Sequence, residues 1–133
     1  MLWLSGRGAA TAAMAAVLAV LGSVTTMAAP AAGEPSFERE VLPILYRHCT
    51  ECHSPDHVGY QAIGLDLTTY HGVMAGSTLG PAVIPRQPQL SPIMMVLDWN
   101  ARSYLQMPPL GHQLPRKDRD AIRAWIRAGA KND

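Results

Sequence analysis

Three side chains within five residues of each other have the types and spacing needed to attach a cofactor. Cys49 and Cys52 lie three positions apart in C-T-E-C, and His53 follows at once, giving C-x-x-C-H. Residues three apart lie on one face of a helical turn, so both thiols can reach the two vinyl groups at one haem edge. The pattern predicts one covalent haem c, with thioethers at Cys49 and Cys52 and with His53 as proximal iron ligand.

Three other kinds of site use two closely spaced cysteines. A thioredoxin-like redox pair needs a βαβ frame, which the sequence does not indicate, and a zinc site needs two further ligands at suitable spacing. A small structural disulfide is the third alternative. Haem is favoured because the motif is complete, occurs once and uses both cysteines of the chain.

A haem iron bound by one histidine has a sixth position, for which the chain offers several side chains. The candidates are Met74, Met94, Met95, Met107, His48, His57, His71 and His112. Met107 is favoured because it precedes Pro108 and Pro109, which fix φ and remove two backbone donors. Such a stretch predicts a stiff extended loop, suited to holding a thioether against iron.

The other candidates have simpler roles. Met94 and Met95 fall in a predicted helix and Met74 in a short segment, so packing is expected of all three.

Among the histidines, His48 shares a helix with Cys49 and cannot cross the haem plane, and His57 is too close to the proximal ligand along the chain. His71 and His112 could reach the distal side. His112 is the main rival of Met107, which leaves a bis-histidine iron as an alternative.

The elements that must position these residues are few and short. Ser36 can cap a first helix that runs to the cysteine pair, and Pro43 must kink or restart it. A last helix is predicted from Pro115 to a stop at Gly129. Its apolar face comprises Ala121, Ile122, Trp125 and Ile126.

Between these two helices the pattern alternates loops with single turns. Residues 59–64 are predicted to be loop, 65–67 a short extended piece, and 76–88 a loop over one haem edge. Thr68 or Thr69 can cap a one-turn helix to Ala75. A further helix is predicted from Ser91 or Pro92 to about Trp99.

The first 29 residues are typical of a secretory signal peptide, with Arg7 before an apolar stretch and small residues near its end. An uncleaved membrane anchor is the alternative. We expect a short linker over 30–35 and a single domain over 36–133. The protein is expected to be periplasmic or otherwise exported, without stable membrane insertion once the signal is cleaved.

Charge and size exclude some partners. The chain has 133 residues, 11 Lys and Arg against 10 Asp and Glu, and a net charge of +1. This balance argues against a nucleic-acid partner, because no basic run is available to neutralise many phosphates.

The chain resembles a known family in the order of its motifs: F-E-R-E-V-L-P-I-L, C-T-E-C-H, G-L-D-L-T-T-Y, G-P-A-V-I-P, Q-L-S-P, M-P-P and A-W-I-R-A-G-A. These motifs, from Ser36 to Ala130, resemble the small planctomycete-type cytochrome c domains, a branch of class I c-type cytochromes. The resemblance implies an all-α fold of three to four short helices and long loops around one haem. It also implies axial His53 and Met107, and crossed terminal helices in which Phe37 packs against Trp125. Arg86 departs from the pattern, since the family commonly has glycine there.

A haem iron with histidine and methionine ligands has both axial positions filled, so it suits electron transfer rather than substrate binding. The chain also lacks a nucleophile with an activating base. We therefore expect a non-enzymatic electron carrier with transient redox-protein partners, working as a monomer or as a subunit of a redox complex. The alternatives are a haem module of a larger dehydrogenase or oxidase, and a five-coordinate haem enzyme or sensor.

Overall fold

A computed structural model describes residues 33–109 and 111–133 of the chain. Residues Ala32–Asp133 form one compact unit. The described part contains the helices α1 (Leu42–His48), α2 (Val58–Ile63), α3 (Tyr70–Ala75), α4 (Pro92–Leu97) and α5 (Arg116–Arg127). It contains no β-strand, which confirms the all-α prediction. The predicted signal peptide over 1–29 lies outside the described residues.

The first helix starts where the sequence predicts and restarts near its proline. Ser36 accepts a hydrogen bond from the backbone N–H of Arg39, at 3.3 Å, as an N-cap. A π-helical turn, Phe37–Val41, comes first, and α1 begins one residue before Pro43. The backbone N–H of Phe37 donates to the carboxylate of Asp133 at 2.9 Å, so the end of the domain satisfies a free donor at its beginning.

The prediction of a loop over residues 59–64 is wrong, because most of these residues form α2. The helix ends at Gly64, which has φ +71°. None of the side chains of α2 is buried. A helix without a buried face has no apolar periodicity, so the pattern that predicts helices is absent. By contrast, Thr69 caps α3 as predicted, accepting from the N–H of Gly72 at 3.0 Å.

Helix α4 begins at Pro92 as predicted, but Ser91 has a different role from a helix cap. Its buried hydroxyl accepts from the N–H of Ile84 at 2.9 Å and donates to the carbonyl of Gln87 at 2.9 Å. Ser91 therefore fastens the preceding loop to the start of α4. The helix stops at Leu97, short of the predicted Trp99, because Trp99 has a left-handed backbone with φ +58°.

An aromatic cluster joins the first and last helical elements. The rings of Phe37 and Trp125 are 5.3 Å apart, which confirms the predicted contact, and Tyr70 lies edge-on to both. Trp125 is fully buried on α5 together with Ile122 and Ile126. The indole N–H of Trp125 donates to the carbonyl of Lys131 at 2.8 Å, so its one polar group is satisfied. Gly129, with φ +112°, ends this region as predicted.

An ion-pair network joins α5 to the end of α4. Asp98 accepts from Arg119 at 2.8 Å and from Arg123 at 2.7 Å, and these side chains are only 17–25% exposed. Burial acts to raise the pKa of Asp98, but hydrogen bonds and charges from Arg123 and Arg119 outweigh it and hold the pKa below its ordinary value.

The Asp98→Asn variant should unfold more easily at neutral pH, by roughly 1–3 kcal/mol, because a charged hydrogen-bond acceptor is lost. A carboxyl whose pKa is lowered by folding stabilises the protein above its unfolded pKa of about 3.9. That contribution is lost as the pH falls through the folded pKa. Denaturant unfolding at neutral pH and near pH 3 should therefore show a difference between wild type and variant that shrinks in acid.

Asp120→Asn is the matched control, because Asp120 also pairs with Arg123 but is 50% exposed. Its effect on the free energy of unfolding should stay below about 1 kcal/mol. Equal effects of the two variants, or a difference at Asp98 that does not change with pH, would contradict a stabilising, partly buried ion pair.

Candidate haem-attachment site

The C-x-x-C-H motif forms a tight turn directly after α1. The helix ends at His48, one residue before the predicted extent to the cysteine pair. The backbone N–H groups of Cys52 and His53 both donate to the carbonyl of Cys49, at 3.1 and 2.8 Å. The spacing of the motif is thus held by its own main-chain hydrogen bonds, and both cysteines are free thiols.

The two thiols have different surroundings. Cys49 is half-buried and packs against the core, whereas Cys52 is exposed. Burial, and to a lesser extent the neighbouring Cys52, raise the pKa of the Cys49 thiol to about 12. Cys49 is therefore a neutral thiol at physiological pH.

One nitrogen of the His53 ring is buried without a hydrogen-bond partner. Nδ1 is buried and has no hydrogen-bond partner among the described residues. Burial lowers the pKa of His53, and the weaker opposing effect of the Leu65 backbone does not reverse this. The imidazole is therefore neutral near pH 7, which is the form that binds a metal.

Helix α2 packs its backbone directly against the motif. The N–H groups of Gly59 and Tyr60 donate to the carbonyl of Cys52 at 2.8 and 3.2 Å, and the N–H of Leu67 donates to that of His53 at 2.9 Å. A Cβ on Gly59 would lie 2.8 Å from the Cys52 oxygen and 2.9 Å from Cε1 of His53. Gly59 is thus a site residue that sequence reasoning missed; a glycine six positions after the histidine was the only signal.

Met107 lies between a 3₁₀ turn, Ser103–Leu105, and Pro108, in neither helix nor strand. Its side chain is partly buried and packs against the core. Its N–H donates to the carbonyl of Val96 at 3.1 Å, and its carbonyl accepts from the indole N–H of Trp99 at 3.1 Å. The Met107–Pro108 peptide bond is cis.

The other methionines differ in burial. Met94 is 2% exposed and belongs to the core, and Met74 packs against it. Met95 is 44% exposed. The expected packing role is confirmed for Met94 and Met74, whereas Met95 lies on the surface.

The histidines other than His53 are all exposed. His48 pairs with Asp118 on α5, 3.2 Å away, and His57 bonds to Ser54. His71 and His112 make no side-chain hydrogen bond within the described ranges. Met107 is therefore the more buried of the two main distal candidates.

Arg86 occupies a backbone conformation that favours glycine. It has φ +65°, and its N–H donates to the carbonyl of Ile126 at 2.7 Å, near the end of α5. The departure from the family pattern thus falls where a glycine would be unstrained.

The residues present fit a covalent haem. Two free thiols, a neutral histidine with an unpartnered buried nitrogen and a partly buried thioether meet the requirements of attachment and ligation. The haem would be held by Cys49 and Cys52, with His53 and Met107 as candidate iron ligands. Within the described residues there is no cluster of three or more side chains suited to hold a metal ion directly.

The helical fold and the C-x-x-C-H turn are those expected of a small c-type cytochrome domain. Residues 49–111 match the family model described as Planctomycete cytochrome C, which confirms the predicted family. The matched range includes the motif and Met107 but is narrower than the predicted Ser36–Ala130, since α1 and α5 lie outside it. Neither curated proteins nor solved structures gave a match.

The Gly59→Ala variant should lower the free energy of unfolding by roughly 1–3 kcal/mol, because a methyl group would press on a backbone oxygen and on the His53 ring. Helix propensity alone would favour alanine by about 1 kcal/mol, so the sign of the effect tests the close contact. Denaturant unfolding gives the measurement.

Gly111→Ala is the control, since a Cβ there meets nothing within 4 Å. It should leave the unfolding curve nearly unchanged. A stabilised Gly59→Ala protein would show that the helix does not approach the motif this closely.

Proposed function

We propose that the chain is an exported monohaem c-type cytochrome that carries single electrons between redox proteins. The observation that carries the proposal is the C-x-x-C-H turn, with the buried, unpartnered Nδ1 of a neutral His53, in a range that matches a cytochrome c family model. Such a domain indicates haem c and electron transfer as a class. The single haem, the export and the carrier role go beyond that class.

Attachment of the haem uses the two cysteines as thiols. Cys49 and Cys52 would hold the haem as thioethers, each by adding its S–H across a vinyl group, which needs no oxidant. Of the two thiols, Cys52 is exposed and Cys49 is half-buried.

The chain's own residues would provide the iron environment. His53 supplies a neutral nitrogen, and its backbone is fixed by Leu67 and by the turn through Cys49. Met107 supplies a thioether from a segment tied to α4. When bound, the haem supplies reversible one-electron oxidation and reduction of its iron. Methionine ligation favours the ferrous state, which raises the reduction potential.

Export and partner choice follow from charge and from the leader. Cytochrome c domains are typically exported, and no helix among the described residues is long and apolar enough to cross a membrane. We propose a periplasmic or otherwise exported location after removal of residues 1–29. Loss of Arg7 would leave ten acidic and ten basic side chains, so two ionised propionates would make the holoprotein mildly acidic. Its contacts with redox partners would then depend only modestly on salt.

Covalent attachment predicts that acidic organic solvent leaves the haem on the wild-type protein. Cys49→Ser or Cys52→Ser should leave only one thioether, and the double variant should release all its haem. Absorption of the extracted phase, with mass spectrometry of the chain, measures this. Free extraction of haem from the wild type would contradict thioether attachment.

A six-coordinate carrier predicts that the native ferrous protein does not bind carbon monoxide and that the ferric protein does not turn over peroxide. Met107→Ala should open the distal position and bind carbon monoxide rapidly, whereas His112→Ala should behave as wild type. Absorption spectra under carbon monoxide and stopped-flow mixing with peroxide measure these reactions.

Rapid binding and turnover by the native protein would favour the enzyme or sensor alternative instead. A response to His112→Ala but not to Met107→Ala would indicate the bis-histidine iron. Inertness together with fast reversible cycling against a small redox protein supports the carrier.

A further inference from the structure

The segment that contains Met107 is fastened to the carboxyl end of α4 on both sides of its ligand side chain. The Met107 N–H donates to the carbonyl of Val96 and the Met107 carbonyl accepts from the indole of Trp99, each at 3.1 Å. Farther along, the side-chain amide of Gln113 donates to the carbonyl of Leu97 at 3.1 Å. Carbonyl groups of Val96 and Leu97, at the carboxyl end of α4, thus accept hydrogen bonds from two points of the segment.

Trp99 reaches Met107 from a strained backbone. Its φ of +58° lies in the left-handed region, which is unfavourable for a non-glycine residue and rare for a bulky side chain. Such strain persists only where the surroundings hold the residue, and it concentrates at functional sites. Here the strained backbone directs the indole N–H at the one carbonyl that follows the candidate ligand side chain.

The end of α4 is itself a rigid support. Asp98, the residue before Trp99, is bound by Arg119 and Arg123 of α5. Backbone N–H groups of Asn100 and Ala101 donate to the carbonyl of Met95, at 3.0 and 3.2 Å. The backbone on both sides of Trp99 is therefore fixed by other hydrogen bonds.

We propose that Trp99 is a positioning residue for Met107. Its indole N–H and the Val96 carbonyl hold the Met107 backbone on both sides, and so limit how far the thioether can move away from the iron. The proposal rests on the proposed function, in which Met107 is the distal ligand. Loss of the indole hydrogen bond should make the methionine easier to displace without removing it.

The test compares two variants of the ferric holoprotein. Trp99→Phe keeps an aromatic ring on the strained backbone and removes only the N–H donor, whereas Trp99→Gly removes the donor and relieves the strain. Titration with imidazole, followed by the methionine-to-iron charge-transfer absorption, measures how readily the thioether is displaced. In both variants we expect displacement at an imidazole concentration roughly three to ten times lower, as the loss of one hydrogen bond implies.

Tyr104→Phe is the matched control, because Tyr104 is an aromatic residue in the same segment and is 71% exposed. It should leave the imidazole titration unchanged. Amide and indole hydrogen exchange by NMR gives a second readout that does not depend on the iron. The Trp99 indole proton should exchange much more slowly than that of a free indole, and the Met107 amide should lose protection in Trp99→Phe.

The outcomes separate this inference from the proposed function. If the charge-transfer absorption persists in Met107→Ala, Met107 is not the ligand, and both are overturned. If Met107 is the ligand but Trp99→Phe titrates as wild type, this inference alone is overturned. If Trp99→Phe is weakened and Trp99→Gly, which also lacks the N–H donor, is not, loss of the hydrogen bond does not by itself free the thioether, and the positioning role is again overturned.

Discussion

The contact between Phe37 and Trp125 joins the two ends of the domain, and the placement of the segment that contains Met107 depends on it. The two rings are 5.3 Å apart, and burial of Trp125 fixes the rotation of α5 about its axis. That rotation presents Arg119 and Arg123 to Asp98, which fixes the end of α4. The Met107 segment is hydrogen-bonded to that end of α4. The contact between Phe37 and Trp125, two residues remote from Met107 in the sequence, therefore helps to determine where its thioether lies.

The two candidate iron ligands are held by contrasting means. His53 belongs to a turn whose hydrogen bonds span only a few residues, and α2 closes on it through the backbone of Gly59. Met107 depends on hydrogen bonds to Val96 and Trp99, on another element. The position of His53 therefore depends mainly on residues close to it in the sequence. The Met107 segment, by contrast, can take its place only once the end of α4 is in position.

Features with a local cause were predictable from the sequence, and those with a tertiary cause were not. The caps at Ser36 and Thr69 and the stop at Gly129 follow from side-chain chemistry within one turn. Helix α2 was missed because it buries no side chain. The bond from Trp99 to Met107 was missed because it needs a left-handed residue, which no periodicity reveals. The roles of Cys49 and Cys52 rest on spacing alone and stay predictions.

Residues with strained backbones lie at, or bond to, the carboxyl ends of two helices. The three non-glycine residues with left-handed backbones in the described ranges are Arg86, Trp99 and Ala130. Arg86 and Ala130 donate backbone N–H groups to the last turn of α5, at Ile126 and Trp125, while Trp99 follows the end of α4. Short helices leave most of their carbonyl groups unpaired, and a chain that must turn sharply to satisfy them accepts strain at the turn. In this domain the same sharp turns bring remote segments back to the helix ends, and the turn at Trp99 positions the segment of Met107, the candidate distal ligand.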